Sequence, residues 1–298
     1  MYDGIINVYK EKGYTSFDVV AKMRGILGQK KVGHTGTLDP EAEGVLPVCA
    51  GKGTKLCDML TDHDKTYRAT LLLGTDTDTQ DTTGTVLAKK STEGLSEEAV
   101  REAILSFIGN YDQIPPMYSA LKVNGRKLCD LAREGIVVER KARPVTIYDI
   151  RIEEICLPEV VMTVSCSKGT YIRTLCHDIG EKLSVGGCVK TLLRTKVDRF
   201  LIEDSLTLAE LQKRKEEGRL SEAVLPIETV FASYGEIRAA EEGLDKLVRN
   251  GNPFRYTEKE DVADKAAFRV YGREGQFIGV YEYSEEKRMF YPRKIFLG

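Results

Sequence analysis

Residues 33–44 read Gly33-His34-Thr35-Gly36-Thr37-Leu38-Asp39-Pro40-Glu41-Ala42-Glu43-Gly44. Three glycines and one proline within twelve residues describe a loop with special backbone dihedrals, because glycine reaches φ values closed to other residues and proline fixes its own. Neither a helix nor a strand carries that density of both. Pro40 also restricts the residue before it to extended geometry, so the Asp39 carboxylate leaves the loop in a limited range of directions. Two readings are open: a turn in which Asp39 bonds the local backbone, or a rigid loop that presents the carboxylate for chemistry.

Working outward, Phe17 to Leu27 places Val19, Val20, Met23, Ile26 and Leu27 on one helical stripe, with Ser16 as the expected cap and Gly28 as the stop. A second helix is expected over Glu97 to Ile108 behind Ser96, and a third over Thr170 to Leu183. A fourth opens at Thr207-Leu208-Ala209-Glu210, a capping-box pattern. Between them, Thr66 to Leu73 alternates Tyr67, Ala69, Leu71 and Leu73 as a strand, Val145 to Ile155 is rich in β-branched residues, and Glu159 to Cys166 alternates again. These elements do not repeat as βαβ units. The fold class is therefore α+β, with a mixed, mostly antiparallel sheet. Beyond Tyr234 the pattern changes to short strands with glycine turns, at Phe268 to Tyr271, Gln276 to Tyr281 and Arg288 to Leu297. We read a small C-terminal all-β module, residues 235–298, after a main domain of residues 1–234, with the linker near Pro226 to Gly235.

The 298 residues carry 44 basic and 46 acidic side chains, a net charge of −2, so the chain is not basic as a whole. The sum hides a pattern. Met117 to Arg151 holds eight basic residues against four acidic, and Val164 to Arg199 seven against three, while Leu201 to Asp245 holds eleven acidic against five basic. A basic middle is either a solvated face or a surface that follows a phosphate backbone. The apolar runs are too short to cross a bilayer, and the N-terminus lacks the pattern of a signal peptide; the expectation is a cytoplasmic protein with no membrane partner. Seven cysteines without a Cys-x-x-Cys pair read as reduced packing residues.

Several near-motifs fail. Gly51-Lys52 lacks the upstream glycine of a phosphate loop, since Leu46 stands there, and Leu56 replaces the third glycine of a dinucleotide turn. Asp76 to Leu87 begins like a calcium loop but has Asp81 at the turn glycine and Leu87 at the bidentate carboxylate. Three histidines without paired spacing make a poor metal site.

The stretch Gly33 to Val48 resembles the signature of the TruB family of tRNA pseudouridine synthases, which modify the T-loop uridine at tRNA position 55. Further segments agree in order: Gly13 to Ser16, Lys65 to Arg68, Gly74 to Asp81, Pro115 to Lys122, Ala142 to Val145, Cys166 to Thr174 and Leu192 to Thr195. The resemblance spans about residues 15–230, and the terminal module resembles the PUA-type RNA-binding domain. It implies Asp39 as nucleophile, Tyr67 as the aromatic that stacks on the target base and takes its C5 proton, and Arg173 as the partner that favours the carboxylate form of Asp39. It implies His34 in displacing the target nucleotide, Leu192 as apolar packing in the pocket, and Tyr171, Arg194 and Lys10 as further substrate-binding neighbours. Family members commonly have proline where Glu11 follows Lys10, and glycine where Asp198 stands. The chemistry needs an extruded base and a carboxylate that bonds and leaves; no cofactor or metal is expected. The implied partner is the T-arm of tRNA, bound by a monomer with no obligate protein partner. An RNA binder without catalysis, or a synthase acting on ribosomal or guide-directed RNA, are the competing readings.

Overall fold

The computed structural model describes residues 1–256 and 262–297. Nine strands form the main sheet: β1 (Gly4–Lys10), β2 (Val32–His34), β3 (Glu43–Ala50), β4 (Lys65–Leu73), β5 (Gly109–Gln113), β6 (Arg143–Cys156), β7 (Glu159–Cys166), β8 (Gly187–Val197) and β9 (Phe200–Leu201). Their order is β1-β3-β8-β4-β7-β6-β5, with β2 beside β3 and β9 beside β8. Only the β3–β8 pair is parallel among these described strands, joining Leu193 to Glu43 and Arg194 to Gly44. The mixed, mostly antiparallel sheet expected from the sequence is the one observed.

Among the described residues the α-helices are α1 (Ser16–Leu27), α2 (Cys57–Thr61), α3 (Glu97–Leu105), α4 (Leu128–Arg133), α5 (Ile172–Lys182), α6 (Leu208–Glu216) and α7 (Glu242–Arg249). Alternation decides which face each strand buries. On β7, Val160, Met162, Val164 and Cys166 are all buried and pack with Ala69 and Leu71 of β4, with Val100 and Ile104 of α3, and with Leu175 and Ile179 of α5. On the β1 and β3 side, Ile6, Val8, Leu46 and Val48 pack against α1 and against Leu208 and Leu211 of α6. The cap of α1 corrects the sequence reading. Thr15, not Ser16, forms the capping box with Asp18, which leaves Ser16 buried and turned toward the 33–44 loop. The α6 box between Thr207 and Glu210 forms as expected.

A second sheet, β10 (Gly235–Arg238), β11 (Ala267–Tyr271), β12 (Phe277–Ser284) and β13 (Met289–Ile295), follows in that order. Helix α7, which the sequence reading left out, lies within the same segment. The expected linker is not a free tether. Ile227 and Phe231 are buried in one apolar cluster with Ile5, Val45 and Val197 of the main sheet and with Val280 and Phe296 of the second. That continuous cluster fixes the second sheet against the first.

Candidate active site

The loop between β2 and β3 is held by the buried side chains of Arg194, Ser16 and Lys10 and by the Gly13 amide. Arg194, on β8, donates from Nε to the Val45 carbonyl at 2.7 Å and from its two terminal nitrogens to the carbonyls of Thr37 and Gly36 at 3.4 and 3.3 Å. Ser16 Oγ accepts from the Leu38 amide at 2.9 Å and donates to the Leu38 carbonyl at 3.3 Å. Lys10 Nζ donates to the Pro40 carbonyl at 3.1 Å, and the Gly13 amide donates to the same oxygen at 2.9 Å. Gly44 ends the loop at φ +104°, where a Cβ would lie 2.2 Å from the Arg194 carbonyl oxygen; only glycine lets β3 and β8 approach there. A loop whose carbonyls are satisfied on both sides of one residue holds that residue still. That residue is Asp39.

Asp39 Oδ2 stands 2.9 Å from Arg173 Nε. Arg173 is the second residue of α5 and is nearly buried, and its terminal nitrogens donate to the carbonyls of Thr79 and Tyr118 at 2.8 Å each. Its fork is thus oriented by two neutral acceptors, with Nε left for the carboxylate. The start of α5 is itself pinned: Gln113 accepts from the Tyr171 amide at 2.8 Å and donates to the Tyr171 carbonyl at 3.0 Å.

Asp39 and Arg173 face a cavity of about 400 Å³, lined also by Leu38, Tyr67, Tyr171, Leu192 and Arg194. Tyr67 lies on β4 in the same alternation as Ala69 and Leu71, so one side of its ring closes the core and the other faces the cavity. Burial pushes its phenol above the ordinary tyrosine range, and the Arg194 guanidinium opposes that. Burial likewise lowers Arg194, while Tyr67 and Asp39 favour its charge. Tyr171 is raised by burial.

Two expected site residues lie elsewhere. Lys10 does not face the cavity: it is fully buried, and Nζ donates to the carbonyls of Glu11 and Pro40, both at 3.1 Å. Burial brings it down to about 8. It holds the loop from behind, outside the cavity lining. His34 sits at the loop's entry, where Nδ1 accepts from the Gly36 amide at 3.3 Å and the ring meets exposed Phe17 edge-on at 5.7 Å. Burial and then the charge of Arg194 lower its pKa, favouring the neutral imidazole.

The sequence reading also missed residues. Asp81, dismissed with the false calcium loop, accepts from Thr79 and Thr83 and stands 4.0 Å from Arg173. Lys65 and Ser119 line the cavity. The basic middle of the chain divides: Lys122, Arg126, Lys127, Arg133, Lys141 and Arg143 are exposed, whereas Arg173 and Arg194 turn inward. Lys122, Arg126, Lys127 and Arg133 follow the cavity-lining Ser119 to Leu121 on a hairpin and α4, which pack Met117, Leu128 and Leu131 together, while Lys141 lies just before β6 and Arg143 opens it.

Residues 24–172 match the TruB family pseudouridylate synthase N-terminal domain, and residues 173–232 the tRNA pseudouridylate synthase B C-terminal domain. The chain is 51% identical to tRNA pseudouridine synthase B of Lachnoclostridium phytofermentans, over 99% of this chain and all of that one. This chain belongs to the TruB family. Another relative, tRNA pseudouridine synthase B of Clostridium acetobutylicum, is 46% identical over 95% of this chain and 96% of its own. Among solved structures, the TruB-family chain superposes on a chain of a Cbf5-Nop10-Gar1 complex with a TM-score of 0.73 and 25% identity, covering 99% of this chain and 85% of that one. A chain of an H/ACA RNP bound to a substrate RNA containing 2'-deoxyuridine gives 0.71 at 23% identity, covering 99% and 85%, a likeness of fold. The two TruB domains meet at Ile172/Arg173, so the Asp39–Arg173 pair is formed across that boundary.

Proposed function

We propose that this chain isomerises the T-loop uridine at tRNA position 55 to pseudouridine, with Asp39 as the nucleophile. The observation that carries the reading is the Asp39 carboxylate, fixed by Arg173 at 2.9 Å on the wall of a cavity that an aromatic ring and a leucine also line. A cavity of about 400 Å³ suits one nucleoside, at the small end of ligand pockets. A stacked base must leave its stack to enter, at a cost of a few kcal/mol, which stacking on Tyr67 and packing on Leu192 offset. His34 and exposed Phe17, outside the cavity beside the loop, are suited to filling the space the base leaves.

In the reaction the Asp39 carboxylate bonds transiently to the nucleoside and the C1′–N1 bond breaks. The uracil turns in the cavity, C1′ bonds to C5, and the carboxylate departs. The C5 proton leaves to Tyr67 and a proton is gained at N1, so the step balances without oxidant, reductant or co-substrate. Arg173 holds the Asp39 side chain in the line of attack. Tyr171 and Arg194 complete the polar wall. The exposed basic hairpin and the second sheet, a PUA-like module, extend the contact along the T-arm, and a monomer in the cytoplasm suffices.

The test is an isolated T-arm hairpin carrying tritium at uridine C5. Stoichiometric release of tritium from the single T-loop uridine is expected. Tight binding without release would leave an RNA-binding protein, and release only from larger RNA or with a guide would move the substrate class.

A further inference from the structure

Lys65 is a buried lysine with no counter-ion. Its side chain is 8% exposed, lies on the same face of β4 as Tyr67, and lines the cavity. Nζ donates to the carbonyls of Thr61 and His63 at 2.9 and 2.6 Å, which uses two of its three N–H groups. The nearby carboxylates are engaged elsewhere. Asp62 pairs with Lys168 at 2.9 Å, and Asp64 accepts from the Tyr148 hydroxyl at 3.0 Å. Among the described residues no carboxylate pairs with Lys65. Its neighbours toward the cavity add positive charge, since Arg194 borders the same space and the Lys65 stem passes beside Gly36, whose carbonyl Arg194 holds. A buried ammonium that pairs with no carboxylate is costly, and the third N–H of Lys65 has no acceptor among its described hydrogen bonds.

We propose that Lys65 is a substrate-binding residue whose third N–H takes an anionic phosphodiester oxygen of the RNA strand at the target nucleotide. The inference rests on the reading of the cavity as the site of the extruded uridine. An incoming phosphate supplies the missing counter-charge at the point where two cations and no free carboxylate converge, and it gives the extruded nucleotide a second anchor besides the base. Lysine suits this as a compact point charge.

The groups facing Lys65 are Arg194 from β8, Cys166 from β7, and Asp62 and Asp64 from the preceding turn; burial and Arg194 bring Lys65 down to about 8. A bound phosphate favours the ammonium. Affinity is therefore full below pH 8 and falls with rising pH above it, by up to tenfold per pH unit, until the bound-state value is reached.

The experiment measures binding of the T-arm hairpin to wild type, Lys65→Met and Lys65→Arg as a function of salt and of pH from 6.5 to 9.5, with thermal melting to confirm folding. Lys65→Met is expected to bind about tenfold more weakly at pH 7, to lower the salt slope by about 0.7 to 0.9, and to lose the fall above pH 8. Lys65→Arg keeps the salt slope and removes the pH dependence. If folded Lys65→Met keeps the wild-type salt slope and pH profile, Lys65 only ties down the Thr61–His63 turn and the proposal is overturned. Tritium release by the wild type, scored in parallel, separates that outcome from failure of the functional reading: wild-type release with unchanged Lys65→Met binding rejects Lys65 alone.

Discussion

Arg173 reaches Asp39 with Nε at 2.9 Å while both of its terminal nitrogens are bound at 2.8 Å to the carbonyls of Thr79 and Tyr118. The guanidinium is thereby aimed by the protein before any substrate arrives. A lysine cannot reproduce three donors in a fixed plane. Arg173→Lys should therefore lower single-turnover release of tritium by about 10²-fold or more while hairpin affinity changes by less than threefold. Equal losses in affinity and rate would assign Arg173 to binding.

In the proposed reaction Tyr67 has two separable parts, a ring that stacks on the base and a phenolate oxygen that takes the C5 proton. Tyr67→Phe keeps the ring, so binding should be retained and single-turnover release should fall by about 10²- to 10⁴-fold. Because burial raises the phenol above its ordinary value, its reactive phenolate fraction grows with pH across the neutral range. The wild-type single-turnover rate should climb between pH 6.5 and 9, and the residual rate of Tyr67→Phe should not.

Lys10 makes a prediction about stability. Its value in the folded chain is about 8, below the 10.5 of an exposed lysine, so between those values the unfolded chain binds more protons than the folded one. Stability from this group then rises with pH through that window. Urea unfolding of wild type and Lys10→Met should show the wild type gaining on the variant between pH 8 and 10.5. A constant difference would mean that Lys10 is not buried as described.

The elements that were legible in the sequence are those whose signals are local. The α6 capping box depends on Thr207 and Glu210 alone, and the alternation of Glu159 to Cys166 fixes which face of β7 is buried. What was illegible depends on partners far along the chain. Thr15 and Ser16 are both competent caps, and the choice falls to Thr15 because Leu38, 22 residues from Ser16, takes the Ser16 hydroxyl. The resemblance implies Lys10 as a substrate neighbour, and only the fold sets its Nζ against the Pro40 carbonyl behind the loop. Arg173 and Arg194 count toward a basic stretch in sequence, yet both are buried around the 33–44 loop. The site's residue types were readable through the resemblance; the division between groups that face the cavity and groups that hold its loop required the fold.

Asp39→Asn removes the proposed nucleophile with almost no change of shape. On T-arm hairpin labelled with tritium at uridine C5, this variant is expected to bind with wild-type affinity and to release no tritium above background, because an amide neither bonds to the nucleoside nor leaves. Release by Asp39→Asn at a rate near that of the wild type would contradict that role for Asp39.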